Sequence, residues 1–167
     1  MQGFFTIRGV HVGNNEMDLL AVRHSEKAVE CWHYEVAGAV RPMNYISDLP
    51  KSVQKKTGKG RRNASKRTPA QLRVSVREWV EKKYLDPRLD RVRRSLWPSR
   101  WKFGFVRAEV KHPEELPLIG SHGIQLIWLD DILDDLKRRK KQRSPPFHKA
   151  VGSDLADLVL FRERKKR

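Results

Sequence analysis

The opening stretch of the chain constrains its fold most, because it holds three short extended segments at the spacing of a hairpin meander. Phe4 to Arg8, Met17 to Val22 and Val29 to Val36 are rich in β-branched, aromatic and other apolar residues. Between them, Gly13-Asn14-Asn15 and His24-Ser25-Glu26-Lys27 supply turn formers. In the third segment the period of two places Trp32, Tyr34 and Val36 on one face and Cys31, His33 and Glu35 on the other. Glu35 therefore projects away from the aromatic side.

Further along, the period changes. Leu72, Val76, Trp79 and Val80 recur at helical spacing between Gln71 and Tyr84, with Thr68 and Pro69 at the start and Asp86-Pro87 as the stop. Arg88 to Arg100 is basic, contains Trp97-Pro98, and reads as a connection. Trp101 to Val110 reads as a strand, and His112 to His122 as a loop or short turn. Ile124 to Trp128 is a nearly continuous apolar run, expected to be a strand buried on both faces. Leu129, Ile132, Leu133 and Leu136 then give a helix, with Asp130-Asp131 in its first turn and Lys137 to Lys141 in its last. Strands mixed with helices predict an α/β domain, a mixed central sheet flanked by helices. A chain of 167 residues suits one such domain. Residues 1–143 are expected to form it, and 144–167 a basic C-terminal extension with a short helix from Ser153 to Phe161.

Charge narrows the partner. Lys and Arg number 36 against 20 Asp and Glu, a formal net charge of +16. Release of condensed counterions makes nucleic acid the default partner of so basic a chain. An anionic membrane is the rival, but no apolar run approaches the ~18 residues a spanning helix needs. The start, Met1-Gln2-Gly3-Phe4-Phe5, lacks the regions of a secretory signal. With Cys31 the sole cysteine, no intramolecular disulfide forms and a reducing cytoplasm fits, beside the nucleoid in a bacterium. Neither CxxC nor HxxxH spacing occurs, which argues against zinc.

The basic residues concentrate between 51 and 67, where Lys51, Lys55, Lys56, Lys59, Arg61, Arg62, Lys66 and Arg67 are joined by no acidic residue. With Gly58, Gly60, Asn63 and Ser65 among them, the stretch is expected to be a mobile loop that follows a phosphate chain. Trp79 and Trp128 are expected to pack in the core. Trp97 and Trp101, set among Arg93, Arg94, Arg100 and Lys102, either stack on unpaired bases or anchor a connection.

One pair of carboxylates stands out on this layout. Asp18 opens the second strand and Glu35 lies near the end of the third, so antiparallel pairing brings them together. Such a pair, completed by carbonyls or water, is a ligand set for Mg²⁺ or Mn²⁺. The runs Asn15-Glu16-Met17-Asp18-Leu19-Leu20-Ala21-Val22 and Trp32-His33-Tyr34-Glu35-Val36 resemble the active-site hairpin of the PD-(D/E)XK, or restriction-endonuclease-like, nucleases. Phe105 to Val110 and Gly123 to Leu133 resemble the distal strand-strand-helix of that fold.

The resemblance implies a metal-dependent nuclease acting on nucleic acid, DNA foremost. By it Asp18 and Glu35 are metal ligands and Glu16 an auxiliary one. The family's E-x-K lysine is here Ala37, which can neither orient a water nor offset its charge. Three accounts stay open: a cation elsewhere fills the role, with Arg41, Lys51, Lys55 and Lys56 as candidates; the site is naturally degenerate; or an inactivating substitution stands at 37. A catalytically silent DNA-binding or assembly subunit, with a protein partner or a second copy of the chain, is the alternative function. A basic RNA-associated protein without a metal site is a third.

Overall fold

The computed structural model describes residues 4–24, 28–38, 42–63 and 66–142, without the side chains of 139–142. The expected meander is present as β1 (Phe5–Val12), β2 (Asn15–His24) and β3 (Val29–Ala37). Gly13, at φ 59°, turns β1 into β2, a backbone conformation that glycine adopts without a Cβ clash. β1 and β2 pair antiparallel through Ile7↔Leu20, and β2 and β3 through Leu20↔His33. β4 (Trp101–Arg107) then lies parallel to β3, and β5 (Ile124–Trp128) parallel to β4. The result is an α/β architecture with a mixed five-stranded sheet ordered β1-β2-β3-β4-β5.

Helices fill the connection from β3 to β4, as a parallel crossover requires. They are α1 (Lys51–Thr57), α2 (Pro69–Val80), a π-helical turn (Glu81–Leu85) and α3 (Pro87–Leu96). Between β4 and β5 stands α4 (Glu115–Gly120). Thr68 starts α2 with a full capping box: its hydroxyl accepts from the Gln71 amide, and the Gln71 side chain accepts from the Thr68 amide.

Two expectations for this crossover are corrected. The stretch from Lys51 is not loop throughout: Pro50 before it and Gly58 after it, the latter at φ 66°, frame a helix. Arg88 to Arg100 is largely α3, capped by Asp86, whose carboxylate accepts from the Arg88 amide. A third correction concerns β5, which is an outer strand of the sheet rather than one buried on both faces. Its Trp128 is 37% exposed under the Arg107 guanidinium, 3.9 Å from the ring centroid.

Two apolar clusters form the core. One joins Val76, Val80 and Tyr84 to Phe105, Ile119 and Ile124, with Trp79 packed against it as expected. The other joins Met17, Leu20 and Cys31 to Leu89 and Trp101. Trp101 is thus a core residue rather than a platform for bases. Both clusters draw on alternate residues of β4, so α2, α3 and α4 cover one face of the sheet. The opposite face carries Trp32 stacked on Tyr34, ring centroids 5.3 Å apart. Tyr34 lies so close over β4 that a Cβ at Gly104 would collide with its ring.

The chain divides into two units, Met1–Trp128 and Leu129–Arg167. The described part of the second is α5 (Leu129–Gln142), which opens on Asp130 and Asp131 beside the positive end of its dipole. The helix expected from Ser153 to Phe161 lies outside the described residues. Among the described residues no helix is long and apolar enough to cross a membrane.

Asp86 ties this frame together, accepting from Arg88 Nη2 at 2.7 Å and from Asn15 Nδ2 at 2.9 Å. The Arg88 guanidinium above all holds its carboxyl down at about 2, against an ordinary 3.8. A depressed folded value means that the charge contributes stability above the ordinary value and loses it as pH falls through the folded one. Urea melts of the native protein and Asp86→Asn, which keeps the cap, are therefore expected to differ at neutral pH and to converge between pH 4 and 2. A constant difference across that window would refute the linkage.

Candidate functional site

The ladder between β2 and β3 stops at Leu19↔Tyr34. At the next position the Asp18 side chain replaces a backbone acceptor, its Oδ2 accepting from the Val36 amide at 2.7 Å. Alternation breaks here as well, because Met17 and Leu20, three apart, enter the same core cluster. The facing ladder skips Gly9, at φ 64°. The carboxylate is thus fixed against the strand that carries Glu35.

Glu35 is 2% exposed. Its Oε1 accepts from His33 Nε2 at 3.0 Å, and its Oε2 is in close ion pair with Lys83 Nζ. Burial pushes the Asp18 carboxyl up and the neighbouring Glu35 pushes it further, against the Val36 amide and the Lys83 ammonium. Two carboxylates in one partly dry place repel, and one ammonium offsets only part of that charge.

Lys83 reaches the site from the inward side of the helical segment that runs through α2 into the π turn. Val76 and Val80 face the core one helical turn apart, and Tyr84 continues that line. Lys83, seven residues after Val76 and three after Val80, falls on the same inward side and lies half-buried beside Tyr84 within the π turn at Glu81–Leu85. Tyr84 anchors the turn by donating to the Gly104 carbonyl at 2.8 Å, and burial pushes its phenol up, so it stays a donor. Ala37 packs against the same cluster as Val76, Val80 and Tyr84. The cation that pairs with Glu35 comes from the helical layer.

Behind Glu35 the polar network continues. His33 is fully buried, with Tyr84 at 5.1 Å and Phe103 at 6.2 Å between ring centroids. Its Nδ1 lies 3.1 Å from Arg93 Nη1, and Arg93 Nη2 donates to the Tyr84 carbonyl at 2.8 Å. Burial pushes the imidazole down, against the pull of Glu35. His33 is therefore an internal hydrogen-bonding residue, not a surface group placed to meet phosphate.

The pairing of Asp18 with Glu35 agrees with expectation; the other expected site residues fall elsewhere. Glu16 is exposed at the β1–β2 hairpin, with His11 Nε2 3.9 Å away, and does not join the two carboxylates. Among the described residues no three acidic, histidine or cysteine side chains gather as a metal site. Arg41 lies outside the described residues. Lys51, Lys55 and Lys56 are exposed on α1, and the cation paired with Glu35 is Lys83. Lys59, Arg61, Arg62 and Lys66 are exposed as well, Arg61 within 3.2 Å of Asp48. Arg67 departs from this set: it is buried and donates to the Ser47 carbonyl at 2.9 Å, so it is not a phosphate contact.

Comparisons with protein-family models, with curated proteins and with solved structures gave no match.

Proposed function

We propose that this chain is a metal-dependent phosphodiesterase of nucleic acid on a restriction-endonuclease-like fold, with Lys83 as its site cation. The observation that carries this reading is the Lys83–Glu35 ion pair beside Asp18. It sets two carboxylates and an ammonium together although the E-x-K position is Ala37.

The donor set fits Mg²⁺ or Mn²⁺, since Mg²⁺ is commonly held by one or two carboxylates, with water and substrate phosphate completing its shell. Asp18 and Glu35 would hold it, and their mutual repulsion is what a divalent cation relieves. When bound, the metal supplies Lewis-acid polarisation and a more acidic water. The chain's own groups do the rest. The Val36 amide orients Asp18, His33 orients Glu35, and the partly exposed Lys83 presents a positive charge where a phosphate gains negative charge. The exposed cations of α1 and of Lys59, Arg61, Arg62 and Lys66 would bind the backbone without reading bases.

The test is cleavage of single- and double-stranded DNA and RNA with Mg²⁺ or Mn²⁺. Turnover that stops with chelator and in Asp18→Asn is the expected result. Binding without turnover would instead make the chain a silent binding subunit, in which Lys83 only neutralises Glu35. Binding is expected to weaken steeply with salt, each neutralised phosphate adding about 0.9 to the log-log slope on duplex DNA. A flat salt response would remove the basic segment from the interface.

A further inference from the structure

We infer that Arg93 and His33 form a positioning pair for Glu35, in which the guanidinium fixes the tautomer of the ring and the ring fixes the direction of the carboxylate. The inference rests on reading Glu35 as a site carboxylate. Its geometric part follows from donor and acceptor chemistry alone.

A guanidinium has donors and no acceptor. Arg93 Nη1 stands 3.1 Å from His33 Nδ1, so that nitrogen presents its lone pair and the hydrogen resides on Nε2. Nε2 is 3.0 Å from Glu35 Oε1 and donates to it. Tyr84 and Phe103 pack against the fully buried ring, and its two polar partners fix which nitrogen faces which. Arg93 is fixed in turn, through Nη2 on the Tyr84 carbonyl and through the Phe103 ring 5.2 Å beneath its guanidinium.

Charge accounts for the arrangement. Arg93 is 2% exposed, yet its nearest acid, Asp90, stands 3.5 Å away with a side chain 42% exposed. The buried negative charge on its other side is Glu35, one imidazole away. The groups facing the ring are Glu35 from β3, Arg93 from α3, Lys83 and Tyr84 from the π turn, Phe103 from β4 and, at longer range, Asp18 from β2. Arg93 thus ties the turn that carries Lys83 to the residue that aims Glu35, and both halves of the site share one anchor. Such outer groups orient ligands by hydrogen bonding and act through them, not on substrate.

The test begins with the metal-free protein. Long-range proton–nitrogen NMR of ¹⁵N-histidine-labelled chain is expected to show His33 protonated at Nε2 and bare at Nδ1. A ring protonated at Nδ1, or at both nitrogens, would overturn the inference whether or not the chain binds metal. Next comes Mn²⁺ affinity by calorimetry for His33→Gln and His33→Phe. Gln still accepts from Arg93 and donates to Glu35, and Phe does neither. The expected result is a loss of about 10- to 100-fold for Phe and under about tenfold for Gln. Equal losses would overturn the pair. Native protein that binds no Mn²⁺ refutes the metal-site reading by itself, and the tautomer then decides the geometry of the pair separately.

Discussion

Lys83→Ala is expected to lower the rate of cleavage by about 10²- to 10³-fold, the usual cost of removing one preorganised group from a charge-stabilising site. The ammonium is in close ion pair with Glu35 Oε2, and its side chain keeps 25% exposure, so it is both inside the site and within reach of substrate. Nucleic-acid affinity is expected to stay within about threefold, because in the function proposed most phosphate contacts come from cations on other elements. The loss therefore falls on turnover. Glu35 keeps its hydrogen bond to His33 in the variant, and a thermal melt shows whether the fold is intact. The decisive step adds Ala37→Lys to Lys83→Ala. An ammonium extended from position 37 of β3 starts on the helix-covered face, beside the cluster that holds Tyr84, and is expected to return part of the lost rate. If Lys83→Ala cleaves as the native chain does, Lys83 is a neutralising partner only. If neither variant nor native protein cleaves, the binding-subunit reading takes its place.

The strand half of this site was legible in the sequence and the helical half was not. Asp18 and Glu35 could be placed because strands have a period of two and hairpins bring successive strands together; the register through Leu19↔Tyr34 then leaves Asp18 at Val36. Lys83 could not, because its spacing of seven from Val76 and three from Val80 marks an inward helical position without indicating the strand carboxylate it meets. α3 was hidden for a related reason. One of its core-facing positions is Arg93, so the segment looks like a charged connection when it is a helix with a buried cation. Arg67 misleads in the same way: a run of cations gives no sign of which one turns inward. Arg67 is balanced by Glu115, remote in sequence, and Arg93 reaches the equally remote His33 while its nearest acid is Asp90. The framing of α1 by Pro50 and Gly58 was present in the sequence, but the density of lysines outweighed it.

The largest expected loss of stability is at Glu115, which the sequence gives no reason to single out. Its side chain has no exposure, and it accepts from the Ile46 amide at 2.6 Å, the Ser47 amide at 3.2 Å and the Ser47 hydroxyl. Arg67 Nη1 stands 3.8 Å from the same carboxylate. Burial pushes the carboxyl up, against the Ser47 hydroxyl, the Ile46 and Ser47 amides and the Arg67 guanidinium, which favour its charged form. Arg67 in turn bonds Ser47 and Ser75, and its guanidinium lies 4.0 Å from the Tyr45 ring centroid. Glu115→Ala strips the acceptor from two amides and leaves a buried guanidinium without its counter-charge. Removing one member of a buried pair costs about 3–5 kcal/mol. Urea denaturation is expected to read a loss in that range for Glu115→Ala. Arg67→Met combined with Glu115→Ala is expected to lose less than the two single changes together, since neither charge is then stranded. A loss below about 1 kcal/mol, or additive losses, would refute this account. The consequence reaches function, because Glu115 grips the segment that leads directly into α1 and its lysines. With that segment loosened, nucleic-acid binding is expected to weaken even where the fold survives, while the Asp18, Glu35 and Lys83 cluster, held by β2, β3 and the π turn, stays assembled.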